Sequence, residues 1–445
     1  MKNLQNLNKL RIHFIGIGGI SMSGLAKLML YNGAIVTGSD CGSGKEIEIL
    51  KSLGVNVFPT HNSDNISKNL DIIIYSGAIK PNNPEIVRAK ELNIPLIERS
   101  EFLGEISRQY KKVIAISGTH GKTTTTAMLG LIATCAGLKP TIHLGGESVN
   151  LHGNTIIGGN EYFIVEACEY RESFKYLEPY IGVITNVEHD HVDFYPTFES
   201  FRLAFARFAG NCDNLIAPVD VNIPHNHLIS IGSDWQVKNI EAYGGGYNFN
   251  AYYKREFYNS FRLNCIGLHN VTNALFAISV AHELGINKDV ICDALSDFMG
   301  VERRYEKIAS IGECNIIIDY AHHPTELRNS IDGIKGVYNK ILYIFQPHTY
   351  SRTLKLFDDF IDVLSPLKDM VLFKTYPARE EVLIGGRAED LFNALKSPNK
   401  EYFDDIDNLM TYIKENAHKF DCILILGAGD LADKLKSYMK HSDKI

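Results

Sequence analysis

Short apolar runs, each closed by a glycine or a polar turn, recur along the chain at residues 11–15, 34–37, 71–75, 113–117, 162–166, 181–185, 316–319, 341–345 and 422–426. Strands that alternate in this way with helical segments imply parallel sheets. Residues able to do chemistry follow directly on many of the runs, and α/β sheets hold ligands at the carboxyl ends of their strands. Because that placement recurs three times, the chain is expected to fold as three α/β domains, residues 1–107, 108–306 and 307–445. Residues 217–261, rich in Asn, Tyr and Gly, are expected to form irregular strands and loops.

Composition narrows the class. A chain of 445 residues, 45% hydrophobic and 22% charged, has room for several cores and is no single small module. The net charge of -7 comes without a Lys/Arg stripe or aromatic-basic interleaving, so nucleic acid is not an expected partner. Eight cysteines, at 41, 135, 168, 212, 265, 292, 314 and 422, form no C-x-x-C pair and suggest neither a disulfide framework nor a zinc site. That usage fits a reducing, cytoplasmic setting. The opening stretch MKNLQNLNKLRIHFIGIGG breaks its apolar residues with polar ones, and no later stretch is long enough to span a bilayer, so neither a signal peptide nor membrane insertion is expected.

The densest chemistry follows the run 113–117: Gly118, Thr119, His120, Gly121, Lys122, Thr123 and Thr124 lead into an apolar helix. Glycines let backbone amides approach a phosphate, the helix N-terminus adds positive potential, a lysine reaches the terminal phosphates and a threonine hydroxyl can ligate Mg²⁺. Two residues separate these glycines where the usual phosphate loop has four. Glu166 and Glu169 follow one strand and His189, Asp190, His191 and Asp193 another, so a carboxylate and an imidazole at adjacent strand ends could share a metal. For Glu169, His189 and Asp193 taken singly, surface polarity is the simpler expectation. The first strand runs into Gly16, Gly18 and Gly19, with Ser21 where a dinucleotide fingerprint has its last glycine and Asp40 near the position of a ribose-binding acid. Asn270 and Asn273 lie three apart at a helix start, where capping by Asn270 is the alternative to ligand contact.

The compact G-T-x-G-K-T loop resembles that of the Mur ligase and folylpolyglutamate synthase superfamily, and five further motifs resemble Mur ligases in the expected order. They are the N-terminal GIGGISMSG, EACEY, GLHNVTN, GVERRYE and DYAHHP. The resemblance implies an ATP- and Mg²⁺-dependent carboxylate-amine ligase with an N-terminal Rossmann-like UDP-sugar domain, a central P-loop ATPase-like domain and a C-terminal Rossmann-like domain. It implies ATP binding by residues 118–124 with Asn270, Asn273, Arg304, Asp319 and His322, and metal binding by Thr123, Glu166 and His191. The catalytic set would be Lys122, Glu166, His191 and Arg304. For the UDP-sugar it implies Gly16, Gly18, Gly19, Ser21, Ser23, Asp40 and Ser76. Asp319 and His322 would reach across an interdomain cleft.

Two stretches, HFIGIGGISMSGLA and FQPHTYSR followed by YPAR, resemble the alanine-adding branch and place His348, Tyr350, Arg352 and Arg379 around the amino acid. The expected substrates are then UDP-N-acetylmuramate and L-alanine, and the expected state is a monomer or weak homodimer. A ligase that recycles murein tripeptide is the alternative within the family. An oxidoreductase, suggested by Gly16, Gly18 and Gly19 alone, leaves GTHGKT and DYAHHP unexplained, and a non-catalytic nucleotide module leaves the metal residues without a role.

Overall fold

The computed structural model describes residues 7–42, 44–191, 194–243, 245–378 and 380–442. Among these residues three sheets form, of five, ten and six strands, each with helices between its strands. The chain is a three-layered repetition of one theme, an α/β fold in three parts.

In the first sheet the strands lie in the order Asn56–Phe58, Ile35–Ser39, Arg11–Ile15, Ile72–Tyr75, Leu96–Glu98, all parallel. Order reverses at Arg11–Ile15, so the turn Gly16–Gly19 opens where an α/β sheet leaves a crevice.

The second sheet runs Glu256–Leu263, Gly246–Tyr253, Trp235–Tyr243, Leu228–Ile231, Asn214–Pro218, Ile181–Ile184, Lys112–Ser117, Tyr162–Glu166, Thr141–Ser148, Gly153–Ile156. Lys112–Ser117 lies inside it, flanked by parallel Ile181–Ile184 and Tyr162–Glu166. Its residues Val113 to Ser117 are buried because the sheet is covered on both faces. The carboxyl ends of all three strands therefore come out side by side.

Residues 217–261 are more regular than expected. They hold strands Leu228–Ile231, Trp235–Tyr243 and Gly246–Tyr253 and most of Glu256–Leu263. Composition misleads here because the aromatic residues pair across strands: Trp235 lies 4.7 Å from Tyr253, 4.8 Å from Tyr258 and 5.4 Å from His282 between ring centroids. Tyr258, Phe261 and Leu263 are buried, and such cross-strand pairs are what stabilise a sheet edge.

The third sheet has the order Glu306–Ile311, Cys314–Asp319, Cys422–Leu426, Ile341–Phe345, Asp369–Phe373, Asn399–Phe403, parallel except for its first pair. Alternate residues feed two cores, Tyr343, Phe345, Leu424 and Leu426 on one face and Leu342, Ile344, Ile423 and Ile425 on the other. A strand buried on both faces has to be apolar throughout, which is why ILYIF and CILIL carry no polar position.

By internal packing the chain forms two compact units. One comprises the described residues of Met1–Ile240, Phe249–Leu263 and Thr272–Phe298, and the other those of Glu241–Asn248, Asn264–Val271 and Met299–Ile445. Within the first unit a single core joins Phe14, Phe102, Phe163, Phe174 and Phe205, so the first and second sheets share their apolar interior.

Candidate active site

The loop after Lys112–Ser117 is built by two glycines in conformations that other residues adopt only under strain. Gly118 has φ +132° and Gly121 φ +82°, and a Cβ at Gly121 would collide with the Asn273 side-chain oxygen. Gly121 caps the helix Lys122–Cys135 in a left-handed conformation, which glycine adopts without the steric cost of a side chain. The end of Ile181–Ile184 grips this loop. His120 N donates to Asn186 Oδ1 at 2.9 Å, Thr119 N to Asn186 O at 3.1 Å, and Thr185 Oγ1 to His120 O at 2.5 Å. The Thr119 hydroxyl meets both backbone groups of Glu188 at 2.9 Å.

Lys122 and Thr123 open the helix, which puts an ammonium and a hydroxyl at its positive end. Lys122 Nζ donates to Gly118 O at 2.5 Å and Thr119 O at 2.9 Å, and it pairs with Glu169 at 2.9 Å. Burial alone would depress this ammonium, but Glu169, then Cys168 and Glu166, outweigh it and raise its pKa. Burial would likewise push the Glu169 carboxyl up, yet Lys122 and then His191 hold it below its ordinary value.

Glu169 thus departs from the expectation of surface polarity. It is 2% exposed, and its Oε1 stands 3.2 Å from His191 Nε2. His189 keeps a structural place, with Nε2 3.0 Å from Tyr195 O and its ring against Phe201. Asp193 lies outside the described residues.

Glu166 ends its strand beside the same helix. Thr123 Oγ1 donates to Glu166 Oε2 at 2.7 Å, and Gly145 N donates to the same oxygen at 2.9 Å. A Cβ at Gly145 would come within 2.6–2.8 Å of this carboxylate, so the glycine keeps a cradle open for it. Among the described residues no three His, Cys, Asp or Glu side chains converge on one point. A hydroxyl and one carboxylate, completed by phosphate and water oxygens, is the sparse protein contribution that Mg²⁺ ordinarily takes. Thr124 is buried in the helix.

The first sheet's turn is built differently. Gly16 has φ +81° and packs against Ser76, whose Cβ is 3.4 Å from where a Gly16 side chain would begin. Gly18 N donates to Asp40 Oδ2 at 2.8 Å, and a Cβ at Gly18 would sit 2.9 Å from that oxygen. Gly19 caps the following helix with φ -64°. Ser23 is fully buried, and its hydroxyl goes to Glu46 Oε2 at 2.6 Å and Ile20 O at 2.9 Å. Ser21 instead meets His143 Nε2 at 2.8 Å, a residue of the second sheet. Burial, with Arg99 and Lys27 nearby, depresses His143 to about 3, so its ring is neutral near pH 7.

In the other unit, Arg304, His322, His348 and Arg352 gather beyond the carboxyl ends of Cys314–Asp319 and Ile341–Phe345. The Arg304 guanidinium lies 5.4 Å from the Tyr320 ring and 3.9 Å from Glu326. His322 Nδ1 is 3.2 Å from Glu326, and its ring is 5.8 Å from that of His348. His348 Nδ1 is 3.2 Å from Arg352, and burial, His322 and Arg352 together depress it to about 4. Tyr350 begins the helix Tyr350–Lys355, and Arg379 lies outside the described residues. Asp319 turns inward, accepting from Tyr305 N at 3.1 Å, Ala321 N at 3.0 Å and Ser330 Oγ at 2.7 Å. Asn270 donates to Ile266 O at 2.6 Å from the second position of its helix.

The sequence models of three domains match in order: the Mur ligase family catalytic domain over residues 11–111, the Mur ligase middle domain over 116–281, and the Mur ligase glutamate ligase domain over 303–429. The chain belongs to the Mur ligase family. Among curated Mur ligases it is 42% identical to the UDP-N-acetylmuramate–L-alanine ligase of Clostridium acetobutylicum, covering 96% of this chain and 97% of the relative. The enzyme of the same name from Clostridium perfringens is 37% identical, over 98% and 99%. Of solved structures, the UDP-N-acetylmuramate–alanine ligase of Thermotoga maritima superposes with a TM-score of 0.85 at 28% identity, over 97% of this chain and 99% of that one. A murein peptide ligase of Psychrobacter arcticus, at 0.76 and 24% over 98% and 99%, shares the Mur ligase fold. Among the described residues no helix is long and apolar enough to cross a membrane.

Proposed function

We propose that the chain joins L-alanine to the lactyl carboxylate of UDP-N-acetylmuramate at the expense of ATP, releasing ADP and phosphate. Full-length likeness to relatives named for this reaction supports the choice of substrates. The observation that carries the chemistry is the convergence of Lys122, Thr123, Glu166 and Glu169 on one loop at the carboxyl ends of parallel strands. A carboxylate is a poor electrophile, so the lactyl oxygen first attacks the γ-phosphorus and ADP leaves with the bridging electron pair. The amine of alanine then attacks the acyl phosphate, and phosphate departs.

The protein's part is position and charge. The glycine turn and the start of the helix Lys122–Cys135 approach phosphate oxygens, the amides of Thr119 and His120 being held by Asn186, and Lys122 exchanges Glu169 for the β- and γ-phosphates. Thr123 and Glu166 would hold Mg²⁺ and His191 would hold a second ion; when bound, these ions would neutralise phosphate charge. Asn273 packs on the nucleotide loop. The glycine turn at 16–19, with Ser76 and Asp40, takes the UDP moiety, and the cluster of His348, Tyr350, Arg352 and Arg379 takes the amino acid. Arg304 and His322 serve ATP. The limits 1–107, 108–306 and 307–445 are assigned to these three roles; the strands of the three sheets span 11–98, 112–263 and 306–426, the last starting one residue before its limit.

Initial ADP release tests the assignment. It should require UDP-N-acetylmuramate, rise strongly with L-alanine, and respond little to D-alanine or D-glutamate. A preference for a tripeptide over free L-alanine would favour the recycling reaction, and equal ADP release without any sugar nucleotide would remove the ligase assignment altogether.

A further inference from the structure

We propose that Arg171 binds an oxyanion of the sugar nucleotide, and specifically sets its lactyl carboxylate against the phosphate loop. The proposal rests on the reading of the chain as the alanine-adding ligase. Directly after Glu169 the backbone passes through two successive left-handed residues, Arg171 (φ 53°, ψ 30°) and Glu172 (φ 53°, ψ 35°). Neither is a glycine, and consecutive residues in this region persist only where the surroundings hold them, which is most often at functional sites. The hold is visible. Tyr195 Oη donates to Glu169 O at 2.5 Å and accepts from Glu172 N at 3.2 Å, and the Glu172 carboxylate is bound by Arg207.

The turn directs the Arg171 side chain away from the second sheet and onto the first. One guanidinium nitrogen donates to Gly77 O at 3.2 Å. Gly77 follows Ser76, the residue packed against Gly16 of the first glycine turn. On its other flank the guanidinium lies 5.4 Å from the Tyr170 ring, and that ring lies 4.7 Å from the imidazole of His191. Arg171 therefore stands between the turn that takes the UDP moiety and the Lys122, Glu169 and His191 group that handles phosphate. It is exposed.

A guanidinium carries five N–H donors in a planar fork, and the contact with Gly77 uses one edge of it. The backbone contact and the Tyr170 ring fix its plane, so the remaining donors are oriented before any ligand arrives. The substrate must carry its carboxylate from the diphosphate at the first turn to the γ-phosphate at the second. A guanidinium on that path can donate to one carboxylate oxygen while the other keeps its lone pairs for attack on phosphorus.

Calorimetric titration of the full chain decides the matter, using wild type, Arg171→Ala and Arg171→Lys. The probes are UDP-N-acetylmuramate, UDP-N-acetylglucosamine, which lacks the lactyl acid, and a non-hydrolysable ATP analogue. Arg171→Ala should weaken UDP-N-acetylmuramate by about tenfold to a hundredfold, the usual range for a hydrogen bond to a charged group, and Arg171→Lys should recover part of it. Binding of UDP-N-acetylglucosamine, binding of the ATP analogue and the thermal midpoint should not change. An equal loss for both sugar nucleotides overturns the carboxylate assignment in favour of the diphosphate. Unchanged affinity for both, or a loss that extends to the ATP analogue, overturns the proposal. Failure of the wild type to bind UDP-N-acetylmuramate brings down the functional reading, and the role of Arg171 with it.

Discussion

The first and second sheets each send a glycine-rich turn from a central parallel strand into a helix, and the two turns are chemically opposite. At 16–19 an amide is already taken by a carboxylate, Asp40, and a cation, Arg99, arrives only at Ser21 of the following helix. At 118–121 the helix begins with a lysine, and a carboxylate from another strand neutralises it. Glycine spacing thus says that a backbone can approach a ligand closely. The charge that the protein itself places beside the turn is decided by side chains that arrive from elsewhere in the sheet.

The sharpest test of this contrast is Lys122→Met. Turnover should fall by roughly 10²–10³, the usual effect of removing one electrostatic donor from a transition state. Stability should also fall, by about 3 kcal/mol, because Glu169 would be left buried without its cation. Denaturation of Lys122→Met with Glu169→Gln should recover the stability and leave the activity lost. A single variant as stable as wild type would mean that the pair contributes nothing to the fold.

Next comes the glycine at each helix start. Gly121→Ala forces a left-handed alanine against Asn273 and should reduce kcat/KM for ATP by about 10², the effect of misplacing a reacting group by an ångström. Gly19→Ala, at φ -64° with nothing closer than 3.7 Å, should keep its stability to within about 1 kcal/mol. Equal sensitivity at the two positions would erase the distinction drawn here.

His143 joins the two regions, since Ser21 lies in the helix that follows the first turn and His143 in the second sheet. Its folded pKa of about 3 is below its unfolded value, so the unfolded chain binds the extra proton first as pH falls. Stability should therefore be full above pH 6.5 and decline below it, by roughly 2 kcal/mol at pH 5 for this one group. Urea midpoints of wild type and His143→Gln at both pH values measure it, and parallel slopes would exclude His143 as the cause. The smallest effect is expected from Asp40→Asn, which keeps an acceptor for Gly18 N but removes the charge. KM for the sugar nucleotide should change by about tenfold or less, and KM for ATP should not move.

Much of this was legible in the chain. The runs 11–15, 162–166, 341–345 and 422–426 are strands with those very limits, because a strand buried on both faces leaves a largely apolar signature, unbroken in the last two. Glu169 was not legible. Flanked by Cys168 and Tyr170 it looks like loop polarity, and its burial depends on Lys122, 47 residues earlier. The resemblance places Ser23 at the UDP-sugar, and the helix turns its hydroxyl inward to Glu46, a partner no local pattern announces. Asp319 shows the same limit, since its carboxylate is saturated by Tyr305, Ala321 and Ser330 of its own unit. In 217–261 the loop-like composition concealed aromatic pairs that form only when the strands are side by side.

The position of Lys112–Ser117 inside a ten-stranded sheet also has a kinetic side. Its amides bond to strands on both flanks and its side chains from Val113 to Ser117 are buried, so these amides are expected to exchange with deuterated solvent late, through large-scale opening. Glu256–Leu263, at the sheet's far edge, has a strand on one flank only. The loop 118–121 thus hangs from a strand paired on both flanks, and its two glycines turn on that buried support.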